Sequence, residues 1–169
     1  KEKLEEKDNN KNLLYKSAKG SKWVYLRNNL ILQTGGDGNS GKQVFLIDFT
    51  SKQAFEMSRM IHSRKNHSIY LFEGYFLFAI GGEGNKTCEK YNVLTDKWTA
   101  LPNLPYEVQN GVVHIRNKNE LYLFGGKNEQ QLVKPNSVLM LNLINLSVGW
   151  SVVEFESEYV DNDFFQYSN

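Results

Sequence analysis

The stretch Thr34-Gly-Gly-Asp-Gly-Asn-Ser-Gly-Lys-Gln43 contains groups suited to holding a phosphate. Read from Gly36 it spells G-x-x-x-x-G-K, in which backbone N–H groups would wrap the phosphate oxygens and Lys42 would reach their outer edge. That chemistry also requires a Ser or Thr hydroxyl on Mg²⁺ and a helix whose N-terminus faces the anion. Gln43 stands where the hydroxyl belongs. The residues that follow, Val44-Phe-Leu-Ile-Asp-Phe49, are β-branched and aromatic with no helical period, so they predict a strand. Asp48 imitates the aspartate that completes such ATPase sites, but no helix or crossover separates it from the loop. The nucleotide reading fails on these mismatches.

Metal or nucleophilic chemistry would draw on Cys88, Tyr91, His62, His67 and His114. The strand pattern places Cys88 in one repeat unit and His114 in the next. His62 and His67 are five residues apart on a loop, a weak chelating interval. A lone cysteine is more often a small buried apolar residue. No Ser-His-Asp grouping is assignable from spacing, since such sets are spatial. The sequence therefore assigns no catalytic residue, metal ligand or cofactor, and the expectation is a chain without enzymatic activity.

Composition narrows the remaining classes. The 169 residues (19.5 kDa) suffice for one domain with a real core, and 40% apolar with 13% aromatic residues excludes a wholly disordered chain. A net charge of +1 with acids scattered among the lysines gives no pull toward nucleic acid or a membrane surface. No apolar run approaches the roughly 18–20 residues of a membrane span, and the charged start has no apolar signal core. The chain opens at Lys1, which suggests a piece of something longer or a processed product. Cys88 is the single cysteine, so no internal disulfide is possible and an intracellular, reducing compartment is expected. The sequons at Asn66, Asn85 and Asn145 are read as products of an asparagine-rich sequence.

The elements that position these residues come from a repeat. Leu30-Ile-Leu-Gln-Thr-Gly-Gly36, Phe76-Leu-Phe-Ala-Ile-Gly-Gly82 and Leu121-Tyr-Leu-Phe-Gly-Gly126 each end an apolar run in a glycine pair. The first glycines, Gly35, Gly81 and Gly125, recur at intervals of 46 and 44 residues. Each run follows another apolar stretch across a polar turn, near Asn28-Asn29, Glu73-Gly74 and Asn117-Lys118-Asn119. Each precedes a third strand and a fourth segment carrying Phe55, Trp98 or Trp150. Four strands in roughly 45 residues is the period of a propeller blade.

At this point the chain resembles the kelch-repeat β-propeller family. The middle copy carries the likeness best, with Arg64, His67, Gly81-Gly82, Tyr91-Asn92 and Trp98, Asn92 standing where an aspartate is usual. The outer copies keep Gly35-Gly36 with Ile47-Asp48, and Gly125-Gly126 with Leu141-Asn142 and Trp150. The fold class is therefore all-β, an arc of about three four-stranded antiparallel blades belonging to a larger closed propeller. Its parts are a charged lead-in or end of a preceding blade at 1–13, blades at 14–58, 59–105 and 106–156, and an acidic aromatic tail at 157–169. Glycines fit where a strand must turn sharply and another chain approaches. Tryptophans fill the wedge between blades.

The resemblance implies a protein-interaction module or scaffold, binding partner segments on one loop face. In a four-stranded meander the loops after the glycine pairs share a face with the blade-to-blade connections. That face collects Asp37, Asn39, Glu83 and Asn85 from the first set, and Arg64, Asn66, Tyr106, Gln109 and Asn110 from the second. Arg64 is the leading candidate for gripping a carboxylate. Lysines outnumber acids there, so the expected partner is a protein with an acidic segment. Further blades must come from the parent chain or another subunit. The alternative is a propeller enzyme, an oxidase or sugar-active protein, whose site the missing blades complete.

Overall fold

The computed structural model describes residues 17–128 and 137–154. The expected lead-in at 1–13, the tail at 157–169 and most of the loop after Gly126 lie outside the described residues. Where chain is described, the regular structure is strand, with two short 3-10 turns at Gly38–Ser40 and Leu146–Val148. The first blade contains β1 (Lys22–Arg27), β2 (Leu30–Thr34), β3 (Val44–Asp48) and β4 (Gln53–Glu56). The second contains β5 (Ser68–Phe72), β6 (Phe76–Ile80), β7 (Cys88–Asn92) and β8 (Lys97–Leu101). The third contains β9 (Val112–Arg116), β10 (Glu120–Phe124), β11 (Ser137–Asn142) and β12 (Trp150–Glu154). Each is an antiparallel meander in sequence order. Across sheets, β1 meets β5 and β5 meets β9, so the first strand of every blade lies on the inner side of the arc.

Local chemistry explains the meander. The first hairpin of each blade turns through paired left-handed residues: Asn28-Asn29 (φ 46° and 63°), Glu73-Gly74 (51° and 75°) and Asn117-Lys118 (49° and 63°). Two such residues give the tight turn whose twist matches a right-twisted hairpin. The turn between third and fourth strands is made the same way three times. Asp48 Oδ1 accepts from the N–H of Thr50 and Ser51, Asn92 Oδ1 from Leu94 and Thr95, and Asn142 Oδ1 from Ile144 and Asn145. This turn needs an acceptor oxygen, not a charge, which is why Asn92 and Asn142 serve as well as Asp48.

The core is divided between the blades. Leu26, Leu32 and Val44 pack with Met60 against Leu77, Ala79 and Tyr91, and this cluster joins the first blade to the second. Phe78, Ile80, Cys88 and Leu101 pack with Leu104 and Val108 against Val113, Ile115, Leu121, Leu123, Leu139 and Leu141, joining the second to the third. The middle blade is covered on both faces, so β6 reads as an unbroken apolar run. Trp98 packs at the first junction, stacked on Tyr91 at 4.8 Å, and its indole N–H reaches the carbonyl of Ser58. Trp150 does the same at the second, donating to the carbonyl of Pro102. Each tryptophan thus holds the point where the preceding blade's chain leaves its last strand. Phe55, at the corresponding place in the first blade, is about half exposed.

At the opening stretch, Gly35-Gly36 ends β2, a 3-10 turn follows, and Gly41-Lys42 leads into β3. No helix opens there, and the resemblance to a phosphate loop is confined to the letters.

Candidate protein-interaction face

The loops after Gly35-Gly36 and Gly81-Gly82 are bonded through the main chain to the blade-to-blade connections, which puts both sets on one face. Gly36 N–H donates to Arg64 C=O at 3.0 Å and Gly82 N–H to Val108 C=O at 2.9 Å. Asp37 N–H reaches Lys19 C=O, Glu83 N–H reaches Lys65 C=O, and Lys127 pairs with Gln109 in both directions. Glycine is required at the first position of the pair: a Cβ at Gly35 would lie 2.4 Å from Arg64 O, and at Gly81 2.6 Å from Val108 O.

Along the inner rim a polar chain crosses all three blades. Lys22 Nζ donates to Asn110 Oδ1 at 2.8 Å, Asn110 N–H to Asn66 C=O at 2.8 Å, and Asn66 Nδ2 to Glu83 Oε2 at 3.0 Å. Lys65 closes on Glu83 at 2.6 Å. The hydrogen bond from Lys65 holds the Glu83 carboxyl below its ordinary range, and burial lowers the pKa of Lys22. Asn85 folds its own loop, its Oδ1 accepting from Thr87 N–H while its Nδ2 donates to Ser63 C=O. Asp37 and Asn39 stand exposed at the tip of their loop, Asn110 is exposed on the rim, and Gln109 and Tyr106 are half-buried.

Arg64 departs from expectation. Its side chain is fully buried, and its guanidinium donates to Gly81 C=O, Thr87 C=O, Thr87 Oγ1 and, at 2.5 Å, Glu89 Oε1. Glu89 is buried too, and it also accepts from the N–H groups of Ile61 and His62. This pair ties the incoming connection to β7 of its own blade. An arginine so engaged offers no fork to a partner carboxylate, so Arg64 is corrected from binding candidate to internal brace. Beside it, the fully buried His67 places Nε2 2.8 Å from the Thr34 hydroxyl. Burial, with help from the charges of Arg64 and Lys22, pushes the His67 pKa well below 6.5. Glu89 is the residue that sequence reasoning missed. Its only signal was an acid between Cys88 and Tyr91 in a strand buried on both faces.

The groups once considered for chemistry are dispersed. Cys88 is buried and burial pushes its thiol up to about 12, far from a reactive thiolate. His114 makes an edge contact with Tyr70 at 5.7 Å. Among the described residues, no three His, Cys, Asp or Glu side chains gather in a metal-binding arrangement, and no helix is long and apolar enough to cross a membrane.

Three four-stranded meanders arranged about their first strands, each packed face to face on the next, define the β-propeller class. Comparison places the repeats within it. No family model matches the chain. It is 26% identical over 125 residues to a Kelch repeat and BTB domain-containing protein 2 from Horsepox virus, a match covering 70% of this chain and 22% of the relative. It superposes on the solved structure of YjhT with a TM-score of 0.59 at 16% identity, over 84% of this chain and 53% of that one. The chain thus spans about a fifth of the curated relative it matches and about half of the solved structure. The blades are kelch repeats, and the described residues form part of a kelch-type propeller.

Proposed function

We propose that the chain contributes to a protein-binding module whose contact surface is the face bearing the glycine-pair loops. The observation that carries this reading is the polar chain Lys22–Asn110–Asn66–Glu83–Lys65, which runs across three blades on the inner rim and presents prearranged donors and acceptors. Sites held in place by their own hydrogen bonds lose less entropy when a partner docks. Around that chain Lys19, Lys42, Lys86 and Lys127 are exposed, while Glu83 is engaged with Lys65. The remaining positive excess suits an acidic peptide segment.

The test is titration of peptides of graded acidity, at two salt concentrations, with substitutions on either face. Lys42→Glu and Lys127→Glu should weaken binding of acidic peptides and flatten the salt dependence. Lys52→Glu and Lys118→Glu, in turns at the opposite ends of the strands, should leave both unchanged. Equal losses from both pairs would refute the chosen face, and the same affinity for acidic and neutral peptides would refute the partner chemistry. The propeller fold stands in either outcome.

A further inference from the structure

The blades are joined by one seam made twice from main-chain atoms. In each seam the second glycine of one blade donates to a carbonyl in the segment leading into the next: Gly36 to Arg64, then Gly82 to Val108. Two residues after that carbonyl sits a left-handed residue whose N–H donates back: Asn66 to Gly20 C=O, then Asn110 to Asn66 C=O, each at 2.8 Å. Gly20, Asn66 and Asn110 share positive φ (75°, 53° and 53°) and the same place before the first strand.

The outer flanks of the arc carry the two halves of a third seam. On the third blade these are Gly126 N–H and Asn110 C=O; on the first they are Ala18 C=O and Gly20 N–H. Among the described residues, Gly126 N–H, Asn110 C=O and Gly20 N–H make no main-chain bond, and Ala18 C=O takes only the N–H of Ser21, leaving acceptor capacity. Side chains agree with the backbone. Tyr25 is 62% exposed, whereas Ile115, at the same ladder position in the third blade, is 6% exposed against the second. Val112 is 60% exposed, whereas Ser68, its counterpart in the second blade, is 3% exposed against the third. Gly35-Gly36 and Gly81-Gly82 are buried while Gly125-Gly126 are only half-buried.

We propose that a second copy of this chain closes the ring, the first blade of each copy seated on the third blade of the other. The chain itself displays both complementary halves of the seam, donor matched to acceptor and apolar face to apolar face. The part of this chain that superposes on YjhT matches 53% of that chain, so three blades make up about half of such a ring. A head-to-tail contact related by half a turn closes on itself and forms two identical seams, with no flank left over. This assembly rests on the propeller fold and not on the binding reading, since its readout is mass.

Light scattering and sedimentation of the 169-residue chain should give twice the 19.5 kDa of one copy. Tyr25→Glu and Val112→Glu should each yield monomers with an unchanged strand signal in circular dichroism, while Ile144→Glu, in the turn after β11, should leave the dimer intact. Mixing the two monomeric variants should restore a weaker heterodimer, because one of its two seams then joins two unaltered flanks. A wild-type monomer would overturn the proposal even if a variant failed to fold. An open-ended series of larger species would overturn it as well, and so would a dimer that survives both flank substitutions.

Discussion

The two blade junctions have the same backbone and opposite chemistry. At the lead-in and third strand of the second blade stand Arg64 and Glu89, a buried ion pair with every neighbour chosen to satisfy it. At the matching ladder positions of the third blade stand Val108 and Leu139, both in the apolar core. The glycine-to-carbonyl bond differs by only 0.1 Å between them, 3.0 Å at the first and 2.9 Å at the second. The ion pair is therefore not what makes the junction. Two charges taken out of water lose several kcal/mol of hydration each, and their attraction and hydrogen bonds return about that much, so an apolar pair of suitable volume does the same work. What the polar version adds is intolerance of partial change.

The sharpest way to break the comparison is to remove half of the pair. Glu89→Leu leaves a buried guanidinium without its counter-charge and strands the N–H groups of Ile61 and His62, and it should cost about 3–5 kcal/mol in urea unfolding. Arg64→Val with Glu89→Leu installs the second junction's chemistry in the first and should recover most of that loss. A double variant no more stable than the single one would mean that the junctions are not interchangeable.

Next in size is the shared element. Gly81→Ala puts a methyl 2.6 Å from the Val108 carbonyl at φ 63°, so strain and a backbone clash add, for about 2–3 kcal/mol. Gly74→Ala meets open space at φ 75° and should pay the conformational term alone, about 1 kcal/mol. Equal costs would show that the close approach across the seam yields without penalty.

The smallest effect at neutral pH separates the junctions by acidity. His67 occupies the first, and Gly111 stands at its place in the second. Because the folded pKa of His67 lies below its unfolded value of 6.5, its neutral form is bound up in the fold: stability is full above pH 6.5 and falls as pH drops below it. Urea midpoints measured from pH 7.5 down to pH 5 should decline, and His67→Gln should flatten that decline. An identical slope in the variant would assign the acid sensitivity elsewhere.

Much of this architecture was legible in the sequence because turns and glycine pairs are local facts. Asn28-Asn29, Glu73-Gly74 and Asn117-Lys118 bend the chain by their own φ, and Gly35, Gly81 and Gly125 mark strand ends by their spacing. Arg64 was misjudged for the opposite reason. A loop arginine reads as solvated, and what buries it is Glu89, 25 residues on, in a strand whose two covered faces leave no alternation to show which side an acid occupies. The rim chain was partly visible, since Asn66, Glu83 and Asn110 fell on the chosen face. That Lys22 reaches across to Asn110, 88 residues away, depends on the curvature of the arc, which no local pattern encodes.

The bonds running from Asn110 to Asn66 to Gly20 have a consequence for descent. Blade meets blade there through peptide groups that every residue carries, so a duplicated repeat arrives already able to join its neighbour, whatever its side chains. Selection then needs to guard one left-handed residue and one glycine pair per unit, while the packing around them drifts from arginine and glutamate to valine and leucine. Repeats under so light a constraint diverge quickly in letters and slowly in shape, which fits a chain that superposes on 53% of YjhT at only 16% identity.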